Sequence, residues 1–119
     1  MKVTSIIQAR MNSKRLPGKI LMKVNNKTMI DHLVNRIRKV EMINDIVIST
    51  TKNKKDDKLV KLCLEKNYLF FRGSENNVLK RIFDTAKKFK SNIIVFITAD
   101  CPIIDYRIIR KTLNYYLKK

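Results

Sequence analysis

Val3-Thr4-Ser5-Ile6-Ile7-Gln8 leads directly into Ala9-Arg10-Met11-Asn12-Ser13-Lys14-Arg15-Leu16-Pro17-Gly18-Lys19. The first stretch is short, apolar and rich in β-branched residues, the pattern of a buried strand. The second places four cations in eleven residues. A basic loop at the end of a buried strand can surround several phosphate oxygens while the strand fixes where the loop begins. Arg10 and Arg15 offer bidentate forks, Lys14 and Lys19 point charges. The Ser13 hydroxyl and backbone N–H groups near Gly18 add donors. Neither GxxxxGK[ST] nor GxGxxG is present, so this is not a Walker or dinucleotide loop.

Outward from that loop, apolar runs and amphipathic stretches alternate. Strands are expected at residues 2–8, 45–50, 68–71 and 92–98, and helices at 29–40, 56–66, 77–89 and 106–117. Apolar residues at three- and four-residue spacing mark the helices. Those expected to face inward are Ile30, Leu33, Val34 and Ile37; Leu59, Val60, Leu62, Cys63 and Leu64; Val78, Leu79, Ile82, Phe83 and Ala86; and Ile108, Ile109, Leu113 and Tyr116. Strict strand–helix alternation predicts βαβ units and a mostly parallel sheet. Right-handed crossovers then give a three-layer α/β/α, doubly wound domain. One domain is expected over residues 1–119, because a chain this short supports a single core.

The two glycines and two prolines all fall just beyond the carboxyl end of an expected strand: Pro17 and Gly18, Gly73, and Pro102. Open α/β sheets bind ligands at that edge. The loops at the opposite edge, around residues 40–44 and 90–91, have neither residue type.

Two further segments reach the same edge. In Ile97-Thr98-Ala99-Asp100-Cys101-Pro102, a carboxylate follows a buried apolar strand. Desolvating it is costly without a cation or several donors. Divalent magnesium would serve, since it takes hard oxygen ligands; a turn or N-cap role for Asp100 is an equal alternative. In Phe71-Arg72-Gly73-Ser74-Glu75-Asn76-Asn77, the turn could read a base edge, although Ser74 or Asn76 capping the next helix is the plainer reading. Lys80 and Arg81 could face solvent or the site. Thr50 and Thr51 share the edge, Asp105 reads as an N-cap, and His32 has no assigned role.

Composition narrows the classes. Hydrophobic residues make up 45% and charged residues 31%, values that suit a globular protein. No apolar run is long enough to span a bilayer, and the first residues read as a strand rather than a signal segment. A cytoplasmic protein without a membrane partner is the expectation. Cys63 and Cys101 form no CxxC or Cys/His cluster, which argues against zinc. Cys63 reads as core and Cys101 as a small filler. The formal net charge of +17 favours polyanionic partners. Because lysine is spread over the whole chain, the local cluster weighs more than the total.

The segments Ile7-Gln8-Ala9-Arg10, Ser13 and Arg15-Leu16-Pro17-Gly18-Lys19 resemble the signature loop of the cytidylyltransferases that make CMP-activated sugars. These include CMP-Kdo synthetases, acylneuraminate cytidylyltransferases and the spore coat polysaccharide biosynthesis type, which is the nearest. An Arg72-Gly73-Ser74 turn followed by Val78, Leu79 and a basic residue, and a Thr98-Ala99-Asp100-Cys101-Pro102 strand end, complete the resemblance in order. Asn12 and Ala99 stand where relatives carry glycine. The resemblance implies a GT-A-like nucleotide-diphospho-sugar transferase fold, with CTP and Mg2+ as ligands and a sugar as acceptor. It implies that Arg10, Arg15 and Lys19 are catalytic on the triphosphate, supported by Ser13 and Lys14. It implies that Asp100 binds the metal, and that Gln8, Ala9, Arg72, Gly73, Ser74 and Thr98 line the nucleotide. Relatives are longer, so it further implies the nucleotide-binding, N-terminal portion of a longer fold, inactive alone or completed by a homodimer or complementing subunit. The alternative is a basic, non-catalytic domain that binds nucleic acid or a partner. No helix-turn-helix, zinc finger, RNP or KH motif supports nucleic acid.

Overall fold

The computed structural model describes residues 1–11, 18–99 and 105–118. Its elements run β1 (Val3–Gln8), β2 (Lys23–Val24), β3 (Lys27–Thr28), α1 (Met29–Ile37), β4 (Asp45–Thr51), α2 (Asp57–Lys66), β5 (Leu69–Gly73), α3 (Val78–Lys88), β6 (Ile93–Thr98) and α4 (Tyr106–Leu117). The main sheet has the order β5-β4-β1-β6, all parallel. The four expected long strands and four helices are all present, with ends shifted by three residues at most.

Chain direction decides the layers. From β1 the chain winds outward through β4 to β5, then reverses to place β6 on the other side of β1. Right-handed crossovers put helices before and after such a reversal on opposite faces. One face carries Val3, Ile7, Ile48 and Ile97, which cluster with Ile30, Leu33, Val34 and Ile37 of α1, Leu59 and Cys63 of α2, and Ile109 and Leu113 of α4. These side chains are at most 8% exposed. Burying each large aliphatic one contributes roughly 1.5–3 kcal/mol. The other face carries α3, held by polar contacts: Ser49 Oγ lies 3.0 Å from Thr85 Oγ1.

Several inward expectations need correction. Leu64, Leu79, Phe83, Ile108 and Tyr116 are 61–81% exposed. Periodicity locates an apolar stripe but not what covers it. In α3 the buried side chains include Arg81, Thr85 and Ala86. Positions 79 and 83 lie two residues from 81 and 85, hence about 200° around the helix, on its outer flank.

A hairpin that the sequence reading passed over joins β2 to β3. Asn25 and Asn26 turn it with φ of 54° and 64°, the left-handed conformations that a two-residue hairpin loop requires. His32 Nε2 donates to Val24 O at 2.7 Å, tying the hairpin to α1. At the far edge of the sheet, Lys90 adopts φ 54°, so tight geometry there is met without glycine.

Candidate functional site

The strand order creates a reversal at β1, between the end of β1 and the end of β6. Ligands of open α/β sheets sit outside the carboxyl ends at such a point. Gln8 pairs in register with Thr98, and Ala99 N donates to Gln8 O at 2.9 Å. Ala9 N donates to Ser49 O at 3.1 Å on the other side. The segments leaving β1 and β6 therefore start as neighbours. Asp100 follows immediately but, with Ser13, Lys14 and Arg15, lies outside the described residues.

The basic loop has two described feet. Arg10 and Met11 form one; Gly18 and Lys19 form the other. Gly18 N donates to Met11 O at 2.9 Å and closes the loop at its base. Gly18 does so at φ 76°, a conformation that strains any side-chain-bearing residue. A short 3-10 turn, Lys19–Leu21, follows, with Ile20 buried. Arg10 and Lys19 are thus held close to one another in backbone terms, although nine positions apart.

Asp56 fixes the first foot. It is 1% exposed. Its Oδ1 accepts from Met11 N at 2.7 Å, and its Oδ2 accepts from the Thr51 hydroxyl. Thr51 Oγ1 in turn accepts from Asn53 N at 3.1 Å. One buried carboxylate therefore joins the end of β4 to the start of the basic loop. Sequence reading placed Asp56 only at a helix start, and the Asp56-Asp57 doublet just past a strand was its one visible signal.

The Arg72–Ser74 turn also carries structural contacts that the sequence does not show. Arg72 Nε donates to Thr51 O at 2.8 Å and its Nη2 to Asn53 O at 2.9 Å. It also pairs with Asp57 at 2.8 Å. The guanidinium braces the loop after β4. Gly73 is required by close packing: a Cβ there would lie 2.8 Å from Phe71 Cε2 and 2.9 Å from Arg81 Cγ. Ser74 O accepts from Arg81 Nη1 at 2.7 Å. The helix cap is neither Ser74 nor Asn76 but Asn77, which accepts from Lys80 N at 2.9 Å.

Of the pair left open by the sequence, Lys80 turns to Asp84 at 3.1 Å on the surface, and Arg81 turns inward. Arg81 is fully buried. Burial pulls its pKa down, the nearby Arg10 charge pulls further, and Asp56 opposes both. Arg10 Nε is itself buried and without a hydrogen-bond partner. Gln8 and Ala9 sit at the strand end as expected, Ala9 buried and Gln8 half-buried; Thr98 is exposed.

The expectations for Asp105 and Cys63 are met. Asp105 caps α4, accepting from Arg107 N at 2.9 Å. Cys63 is 1% exposed, and burial pushes its thiol up to about 12, which leaves it inert. Among the described residues no group of three or more His, Cys, Asp or Glu side chains converges as a metal cage. No helix there is long and apolar enough to cross a membrane.

The family model for cytidylyltransferases matches residues 4–119. The spore coat polysaccharide biosynthesis protein SpsF of Bacillus subtilis is 38% identical over 104 residues, covering 84% of this chain and 43% of its own length. A cytidylyltransferase structure from Leptospira borgpetersenii superposes with a TM-score of 0.94 at 36% identity, over 100% of this chain and 50% of that one. The structure of a CMP-2-keto-3-deoxy-manno-octonic acid synthetase complexed with CTP superposes with a TM-score of 0.85 over 100% of this chain and 48% of that one. At 22% identity, that likeness speaks to the fold alone. The chain spans about half the length of the curated relatives it matches.

Proposed function

Because the chain belongs to the cytidylyltransferase family, we propose that it binds CTP at the carboxyl edge of β1 and β6. In that reading it serves the transfer of CMP to a sugar or sugar acid for surface polysaccharide synthesis. The observation that carries this is the closed base of the basic loop. The Gly18–Met11 hydrogen bond closes the loop between Arg10 and Lys19, and the Asp56–Met11 hydrogen bond anchors its first foot just past the end of β1. A polyphosphate laid there would meet cations from both feet, and Arg15, Lys14 and Ser13, which lie between them in sequence, are proposed to join them.

The chemistry asks little covalent work of the protein. An acceptor hydroxyl attacks the α-phosphorus of CTP, the α–β bridging bond breaks, and pyrophosphate leaves. Such transfers depend on positioning and on stabilising charge that builds on the leaving oxygens. Arg10, Arg15 and Lys19 are the groups proposed to do this. Gln8, Ala9 and Thr98 would lie along the nucleotide where β1 and β6 end side by side. Arg72, Gly73 and Ser74 would shape the cytidine side chiefly by holding neighbouring backbone.

A magnesium ion fits the available donor chemistry, because it is usually bound by one or two carboxylates together with phosphate oxygens and water. Asp100 is the proposed carboxylate, and the ion when bound supplies charge neutralisation on the phosphates. Calorimetric titration with CTP and magnesium tests the assignment. Arg10→Ala and Lys19→Ala should each weaken binding by roughly 10–100-fold, as expected for lost charge-assisted bonds, with unchanged folding. Asp100→Asn should reduce the dependence on magnesium. Wild-type affinity in all three variants would remove the assignment.

A further inference from the structure

Arg81 is a fully buried cation that the fold uses only in part. Its Nη1 donates to Ser74 O at 2.7 Å, while Nε and Nη2 are buried and without hydrogen-bond partners. Its stem packs on Gly73, where even a methyl group would collide with it. Its helix is pinned beneath the sheet edge, since Thr85 Oγ1 donates to Arg81 O at 2.7 Å and meets Ser49 at the end of β4. This guanidinium therefore has little freedom to seek other partners.

Among the described residues its charged surroundings are unbalanced. Gly73, on which it packs, pairs in register with Thr51, Thr51 donates to Asp56, and Asp56 holds the backbone next to Arg10; Arg10 and Asp56 act on it with opposite charge. Asp56 has committed one oxygen to Met11 N and the other to Thr51. Arg10 Nε is also buried and unpartnered. Among the described residues, two guanidiniums thus have one carboxylate beside them, and it hydrogen-bonds to neither. Buried polar groups are nearly always satisfied, so orphaned donors of this kind call for an explanation. A buried charge without a counter-charge is destabilising. A ligand anion at the loop would supply that counter-charge.

We propose that Arg81 is a positioning residue of the phosphate site: its buried charge adds to the positive potential at the Arg10 foot of the loop, so that a bound polyphosphate offsets the repulsion between the two arginines. The inference rests on the nucleotide-binding reading and extends it to a residue in α3 that does not touch the ligand. It also explains why a helix with apolar residues to spare buries an arginine.

The experiment measures binding of CTP, UTP and inorganic tripolyphosphate to the wild type and to Arg81→Met, Arg81→Lys and Arg10→Ala. Methionine keeps the stem that packs on Gly73 and removes the charge; lysine keeps the charge. Arg81→Met is expected to weaken CTP and tripolyphosphate by the same factor, about tenfold, and to leave the preference for CTP over UTP unchanged. Arg81→Lys is expected to recover most of the loss. The proposal is overturned if Arg81→Met leaves tripolyphosphate binding intact, or if it weakens CTP alone and erodes the base preference, as general damage to the Ser74 turn would. If Arg81→Met does not fold, Arg81→Gln, which keeps an amide donor for Ser74 O, carries the same comparison with the same outcomes. Loss of binding in Arg10→Ala but not in Arg81→Met rejects only this inference; intact binding in both rejects the nucleotide site itself.

Discussion

Asp56 shows how much of this site depends on single side chains distant in sequence. Its carboxylate reaches 45 residues back to Met11 N, and neither periodicity nor motif spacing can reveal such a contact. What was legible were the cations themselves: Arg10 follows β1, and Lys19 follows the Gly18 that closes the loop's base. The packing role of Gly73 was not legible, because sequence shows a missing side chain but not the neighbours that require it. Replacing Asp56 by alanine strands the Met11 N–H and the Thr51 hydroxyl. Equilibrium urea unfolding should report a loss of about 1–3 kcal/mol, accompanied by weaker CTP binding as the first foot loosens. A variant that keeps full CTP affinity would show that the loop holds Arg10 without this anchor. Gly73→Ala should cost about 1–3 kcal/mol through overpacking against Phe71 and Arg81, measured in the same way.

Among the elements, α1 has the most complete N-terminus. Thr28 Oγ1 accepts from Asp31 N at 3.1 Å, and Asp31 Oδ2 accepts from Thr28 N at 3.0 Å, a reciprocal capping box. The Tyr68 hydroxyl donates to the remaining Asp31 oxygen. Burial alone would raise the Asp31 carboxyl, but the Tyr68 and Thr28 hydrogen bonds outweigh it and hold it below its ordinary value of 3.8. A lowered carboxyl favours the folded state above the unfolded-chain pKa, and that contribution disappears as pH falls through the folded value. Asp31→Asn should therefore destabilise by about 1 kcal/mol at neutral pH. Below pH 3.8 the gap between variant and wild type should shrink, read from urea midpoints across pH. A gap that stays constant would exclude an ionic contribution from this cap. The helices themselves were readable from spacing, yet α3 was oriented wrongly. Its polar positions 81 and 85 face the sheet because the β4 end offers Ser49 and the β5 end offers Ser74 as partners. Hydrophobic periodicity contains no information about such polar partners.

At the scale of the molecule, strand alternation was enough to give the parallel sheet and its layers, since crossover handedness leaves few choices. It did not show how bare one side would be. α3 covers the central and β5 side of its face, while Ile94 and Phe96 on the β6 edge are 42% and 41% exposed. Ile108 and Tyr116 of α4 line a groove beside the same strand. Exposed apolar edge strands associate. The chain of 119 residues should therefore self-associate at high concentration in sedimentation velocity, and Phe96→Lys should reduce this without lowering CTP affinity. Equal association in both proteins would place the contact elsewhere. The central claim is that one sheet edge gathers the cations into a cytidine triphosphate site. Isothermal titration of CTP, ATP, GTP and UTP with magnesium tests it most directly. The account predicts saturable binding that favours CTP, depends on magnesium and is lost in Arg10→Ala and Lys19→Ala; equal binding of all four nucleotides, or affinity untouched by either substitution, would contradict it.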